Sequence, residues 1–170
     1  MAKALIIAEK PSLGRSIVSA LQWWKNEKFE RQGKDRNTWL ESDNYIVASS
    51  VGHLYELIDL DAYFPGYDPE KKPGWSMDRL PFFPDDWEFQ YEGKEKVKGM
   101  IRVINSLMNR KDVDVIYNAG DPDREGQRLV DEIIEHGLKT QKTIYRLWLP
   151  DTTNKTIKQA FETAKPNTGY

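Results

Sequence analysis

The run Val113-Asp114-Val115-Ile116-Tyr117-Asn118-Ala119-Gly120-Asp121-Pro122-Asp123-Arg124-Glu125-Gly126 leaves few folds open to this chain. It begins as a β-branched apolar strand, breaks at Gly120, then sets three carboxylates within five residues. Pro122 directly after Asp121 reads as the first helical position behind an aspartate cap. The acids therefore belong where the carboxyl end of a strand meets the amino end of a helix. At that edge open α/β sheets bind their ligands. Capping and the helix dipole account for Asp121 and Glu125. They account less well for the crowding of Asp121, Asp123 and Glu125, whose repulsion costs free energy unless a cation offsets it. Such hard oxygen donors suit Mg2+, which takes one or two carboxylates and keeps several waters.

Composition removes several alternatives. The chain has 170 residues, room for one domain with a real core. It has no cysteine, which excludes thiolate zinc sites, disulfides and cysteine nucleophiles, and its two histidines argue against a His-rich metal site. Lys and Arg number 25 against 27 Asp and Glu, so any polyanion must be held by a local patch. The amino end offers only the apolar run Ala4 to Ala8 before Glu9-Lys10-Pro11. That is too short for a signal sequence or membrane span, so a cytoplasmic protein without membrane partners is expected.

Other strand ends carry polar side chains too. Leu5-Ile6-Ile7-Ala8 reads as a buried strand, and Glu9 falls at its junction with a helix capped by Ser12 and lined by Leu13, Ile17, Val18 and Leu21. Lys10 and Arg15 flank that helix start, a place that attracts phosphate. Phe29 to Arg31 and Thr38 to Leu40 alternate around Gly33-Lys34-Asp35, which predicts a hairpin. Tyr45 to Ser50 is a further strand, with Gly52-His53-Leu54 beyond its tip.

Residues 59–93 are rich in proline and aromatics: Pro65, Pro69, Pro73, Pro81 and Pro84 with Phe64, Trp75, Phe82, Phe83 and Trp87, ending near Gly93. They predict an irregular insertion held by aromatic packing, functional or containing short strands. Lys94 to Arg110 has helical spacing, with its cations on a solvated face. A helix follows the acidic cluster and closes with His136 and a terminal Gly137. Thr143 to Leu149 is another strand, and Asp151-Thr152-Thr153 caps a last helix stopped at Lys165-Pro166. The alternation predicts an α/β, Rossmann-like fold: a mainly parallel four-stranded sheet with helices on both faces. Residues 1–150 form the expected domain, and 151–170 either begin the next segment or supply its C-terminal helix.

Together Glu9-Lys10-Pro11-Ser12, Gly52-His53-Leu54 and Asp121-Pro122-Asp123-Arg124-Glu125-Gly126 resemble the Toprim domain of type IA DNA topoisomerases, nearest the bacterial topoisomerase III branch. Trp75 with Leu80-Pro81 and Pro84, and Arg146-Leu147-Trp148, look like that family's spacing. The resemblance implies cleavage of one DNA strand by a tyrosine, a 5′-phosphotyrosyl link, strand passage and religation. It implies Mg2+ held by Asp121 and Asp123 with help from Glu9, and supported by Glu125. Glu9 would also be the general acid and base at the 3′-oxygen, and Lys10 would contact the scissile phosphate. Arg124 and His53 would contact the single-stranded DNA.

Two departures accompany the resemblance. Gln127 stands where the family commonly has a further Glu, which puts a second metal in doubt. None of the eight tyrosines matches the family's nucleophile. The expectation is therefore an excised amino-terminal domain, monomeric, partnered by the remaining domains of a parent topoisomerase and inactive alone. Rival readings are a Toprim primase or nuclease, a receiver-like Mg2+-binding signalling domain, and a module that only docks DNA.

Overall fold

The computed structural model describes residues 2–64, 66, 68, 77–85, 87–91 and 95–168. Pro65, Pro69, Pro73, Trp75, Gly93 and Lys94, named above, lie outside the described residues. Nine strands and four α-helices are described: β1 (Lys3–Ala8), α1 (Pro11–Lys25), β2 (Glu30–Lys34), β3 (Asn37–Glu41), β4 (Tyr45–Ser49), β5 (Tyr55–Leu57), β6 (Phe89–Tyr91), α2 (Glu95–Met108), β7 (Val113–Ala119), α3 (Arg124–Gly137), β8 (Thr143–Arg146), α4 (Asn154–Glu162) and β9 (Lys165–Pro166).

The main sheet runs β2-β3-β4-β1-β7-β8-β9. Its four central strands β4, β1, β7 and β8 are parallel, as the alternation of strands and helices requires. The sheet is wider than the four strands expected. The predicted hairpin adds β2 and β3 antiparallel on one side, and β9 adds an antiparallel edge on the other. The last helix already ends at Glu162 with Thr163 as its C-cap, short of the expected stop, and Lys165-Pro166 instead pairs with Arg146 and Tyr145. A two-residue edge strand is a place where proline is tolerated.

The strand β1 is buried on both faces, which explains its unbroken apolar run. Leu5 and Ile7 join α2 and α3 in one core, while Ile6 and Ala8 join α1 and α4 in the other. The helices after β1 and β7 thus leave to opposite faces of neighbouring strands. A crevice opens between the carboxyl ends of two such strands, the switch point of a doubly wound sheet.

Several local expectations are corrected. The first helix has no side-chain cap: Lys10 is its N-cap residue and Pro11 occupies the first turn, so Ser12 lies inside. Gly137 is the last residue of α3 rather than a left-handed terminator. An added Cβ there would lie 2.1 Å from Asn105 Oδ1, so the glycine serves the packing of α3 on α2. The insertion contains short 3-10 turns at Leu60–Tyr63 and Met77–Arg79, and β6 pairs with β5 in a second sheet. Tyr63 and Phe64 pack on Phe82 with centroids 5.3 and 5.1 Å apart, the expected aromatic staple, whereas Phe83 and Trp87 are exposed.

Arg110 is likewise no solvated cation. Its guanidinium grips Glu41 through two bonds of 2.9 Å and Asp112 through bonds of 2.9 and 2.7 Å. Lys3 and the Trp39 indole N–H complete the shell of Glu41. Burial pushes Glu41 up, but these donors outweigh it and hold it at about 2. Hydrogen bonds from Arg110 bring Asp112 to about 2 as well. Both groups are depressed relative to the unfolded chain, so their stabilisation is complete above about pH 4.5 and is lost as pH falls toward 2. Acid unfolding is expected to steepen in that window. Glu41→Gln should flatten the profile, measured as melting temperature against pH; an unchanged slope would contradict the assignment.

Candidate functional site

Three loops meet at the carboxyl edge of β4, β1 and β7. The strand β1 delivers Glu9, whose backbone N–H donates to Ala119 O at 3.3 Å across the crevice. Beyond β4, the buried Ser50 hydroxyl donates to Glu9 O at 2.7 Å. The Glu9 carboxylate then accepts the Asp121 backbone N–H at 2.7 Å. Two acidic segments separated by more than a hundred residues are thereby joined by a direct bond.

The acidic loop is shaped by backbone contacts. Asp123, not Asp121, caps α3: its Oδ1 accepts the Gly126 N–H at 2.7 Å, so the helix starts at Arg124 and Pro122 stands before it. Asp121 is thereby free of capping, and its carboxylate receives the Lys10 ammonium at 2.5 Å. That hydrogen bond lifts the Lys10 pKa above the ordinary lysine value. Glycine is required where the loop crosses the helix start. A Cβ on Gly120 would lie 2.0 Å from Gly126 O, and one on Gly126 would lie 2.5 Å from Asp121 N and 2.6 Å from Glu9 Oε2.

Of the remaining expected residues, His53 Nε2 lies 3.4 Å from Glu125 Oε1, both side chains well exposed. Arg124 is exposed at the first position of α3. The fold thus brings together Glu9, Lys10, Asp121 and Asp123, and pairs His53 with Glu125 beside them.

The sequence reading missed the scaffold beneath. Arg146 is 1% exposed, and its guanidinium donates to the carbonyls of Gly120 and Leu147 at 2.9 Å and of Asp121 at 2.7 Å. Asn118, fully buried, accepts the Gly120 N–H at 3.0 Å and donates to Asp131 at 2.9 Å. Gln127 donates to Asp131 at 2.6 Å and Asn167 at 3.0 Å. Its amide is therefore committed to the scaffold; a glutamate there would face the Asp131 carboxylate. The available signals were an asparagine and an arginine at the carboxyl ends of strands β7 and β8, residue types rarely buried unless bonded.

The donor chemistry fits a hard divalent cation. One oxygen each of Glu9, Asp121 and Asp123 is engaged as described, and the second takes no protein hydrogen bond among the described residues. Among those residues no three His, Asp or Glu side chains are arranged to hold a metal ion by themselves. Mg2+ does not require such a cage, since it binds through one or two carboxylates and water. No described helix is long and apolar enough to cross a membrane.

The sequence pattern of the Toprim domain matches residues 4–152. The chain is 35% identical over 173 residues to DNA topoisomerase 3 of Bacillus thuringiensis (strain Al Hakam), covering 100% of this chain and 21% of that protein. It is 35% identical over 171 residues to DNA topoisomerase 3 of Haemophilus influenzae, covering 98% of this chain and 24% of the relative. For DNA topoisomerase 3 of Bacillus subtilis (strain 168) the identity is 32% over 170 residues, again 21% of the relative. The chain therefore spans between a fifth and a quarter of the length of these relatives.

Proposed function

The chain belongs to the Toprim domain family, and from that premise we propose that it is the acidic, Mg2+-dependent domain of a type IA DNA topoisomerase of the topoisomerase 3 kind. In this reading residues 1–150 are the Toprim unit, with its insertion near 59–93, and 151–170 either begin the next segment or, through α4 (Asn154–Glu162), supply its C-terminal helix. The parent protein acts on single-stranded DNA, in the cytoplasm and as a monomer. The observation that best supports this reading is the 2.7 Å bond between the Glu9 carboxylate and the Asp121 N–H. It joins the E-K-P-S and D-P-D-R-E-G segments into one site.

Glu9, Asp121 and Asp123 would hold Mg2+, with Glu125 in support, and the bound ion would supply charge neutralisation to a phosphodiester. Protonated Glu9 gives its proton to the leaving 3′-oxygen and recovers it on religation. Lys10 meets a phosphate oxygen as a compact point charge, while Arg124 and His53 contact the strand. The tyrosine that forms the 5′-phosphotyrosyl link comes from another part of the parent protein.

Mg2+ titration of the chain, followed by NMR amide shifts, tests the site. Saturable shifts at Glu9 and at 120–126 are expected, and Asp121→Asn with Asp123→Asn should abolish them. No response in the unmodified chain would overturn the assignment. The chain alone should leave supercoiled plasmid unrelaxed, and relaxation by it would refute the external tyrosine. In the parent protein, strand cleavage without a covalent protein–DNA adduct would favour a nuclease instead.

A further inference from the structure

A second cationic feature lies on the same edge of the sheet. The antiparallel pairing of β3 with β4 and of β2 with β3 carries the Asp35-Arg36 turn to the end of β4 that also carries Ser49. Between that turn and the first turns of α1 lies a groove of about 540 Å³. Arg15, Arg31 and Arg36 line it, and all three are exposed. Among the described residues none of them has a carboxylate within ion-pair distance, whereas Lys3, Lys10, Arg79, Arg110 and Arg128 each have one. Arg31 is held in place by donating to the Asp35 backbone carbonyl at 3.3 Å. Among the described residues Asp35 is the one carboxylate lining the groove, and Leu40, Val51 and Met100 give it an apolar wall.

Three guanidinium groups without an ion-paired carboxylate among the described residues thus face one groove, on a chain of net charge −2. Mutual repulsion disfavours them unless an anion is there to be bound. Arginine suits phosphate because its planar fork can give two parallel N–H bonds. Pro11 also lines the groove, and it directly follows Glu9-Lys10. Two strand spacings, about 10 Å, separate β1 from β3. A strand seated at Glu9 therefore needs to continue only about that far to enter the groove.

We infer that the groove between the β2–β3 turn and α1 binds the phosphates of single-stranded DNA flanking the Glu9–Asp121 site. This rests on the reading above that the site works on DNA. Arg15, Arg31 and Arg36 carry the contact, and the apolar wall takes sugar or base.

Fluorescence anisotropy of the chain with labelled oligo(dT), without Mg2+, tests the inference. The triple variant Arg15→Gln, Arg31→Gln, Arg36→Gln should bind about tenfold more weakly. Its dependence of log K on log salt should be shallower by about 2, since each phosphate that an arginine neutralises adds roughly 0.7 to the slope on a single strand. A control removing equal charge at the opposite edge, Lys28→Gln, Lys111→Gln, Lys139→Gln, should weaken binding by less than about twofold. Thermal melting of each variant checks the fold, and the single changes Arg31→Gln and Arg36→Gln should show partial losses. The inference is overturned by undiminished binding in the arginine variant, by an equal loss in the control, by no binding in the unmodified chain, or by equally tight binding of poly-glutamate. Failure here leaves the Mg2+ response of the chain intact; failure of the site itself removes that response and leaves the arginine effect.

Discussion

Glu9→Gln, placed in a parent topoisomerase that carries this chain, is expected to lower the rate of single-strand cleavage by about 10²–10⁴, the usual contribution of a positioned general acid. The substitution separates chemistry from architecture. A glutamine oxygen can still accept the Asp121 N–H that Glu9 now accepts at 2.7 Å. The amide has no titratable proton to give the leaving oxygen. Melting temperature should therefore change little while covalent adduct forms slowly. Glu9→Ala removes the acceptor as well, so it should both slow cleavage and loosen the loop. A cleavage rate within tenfold of the parent for Glu9→Gln would exclude the proton-transfer role.

Arg146→Leu should have the largest effect on stability, about 3–5 kcal/mol. The substitution strands the carbonyls of Gly120, Asp121 and Leu147, which the guanidinium now satisfies at 2.7–2.9 Å. Each buried acceptor left without a donor costs about 1–3 kcal/mol. For a domain of this size that corresponds to a fall in melting temperature of about 10 °C or more. Arg146→Lys keeps the charge but cannot fork toward several carbonyls, so an intermediate loss is expected. Because Arg146 holds the acidic loop from below, the variant should also weaken Mg2+ binding when it is measured well below its melting temperature. A leucine variant that melts within about 3 °C of the unmodified chain would show that the loop does not depend on this contact.

Most of the α/β pattern was legible because it rests on short-range periodicity. The runs Leu5 to Ala8, Tyr45 to Ser49 and Val113 to Ala119 are strands in the structure, and the apolar face of α1 is the one its spacing implied. The errors lie at element ends and at single charges. Asp121 and Asp123 are equally good caps on paper. The choice falls to Asp123 because the Asp121 backbone N–H is taken by Glu9 and its carboxylate by Lys10. Gly137 carries a terminator's sequence signature, yet its neighbour across the helix pair, Asn105, requires a residue without Cβ. Arg110 looked like one more surface cation at the end of a helix. Its partner Glu41 lies 69 residues earlier, a separation that no local pattern reports.

The amino-acid sequence determined the elements, their alternation and the placing of acids at two strand ends, because hydrophobic period and turn chemistry act over a few residues. Tertiary structure alone decided that β1 and β7 are neighbours, and hence that Glu9 reaches Asp121. It alone set Arg146 beneath the loop and turned Arg15, Arg31 and Arg36 toward one groove. Strand order is fixed by which faces pack together in the two cores on either side of the sheet. That is a property of the whole chain, summed over residues far apart along it.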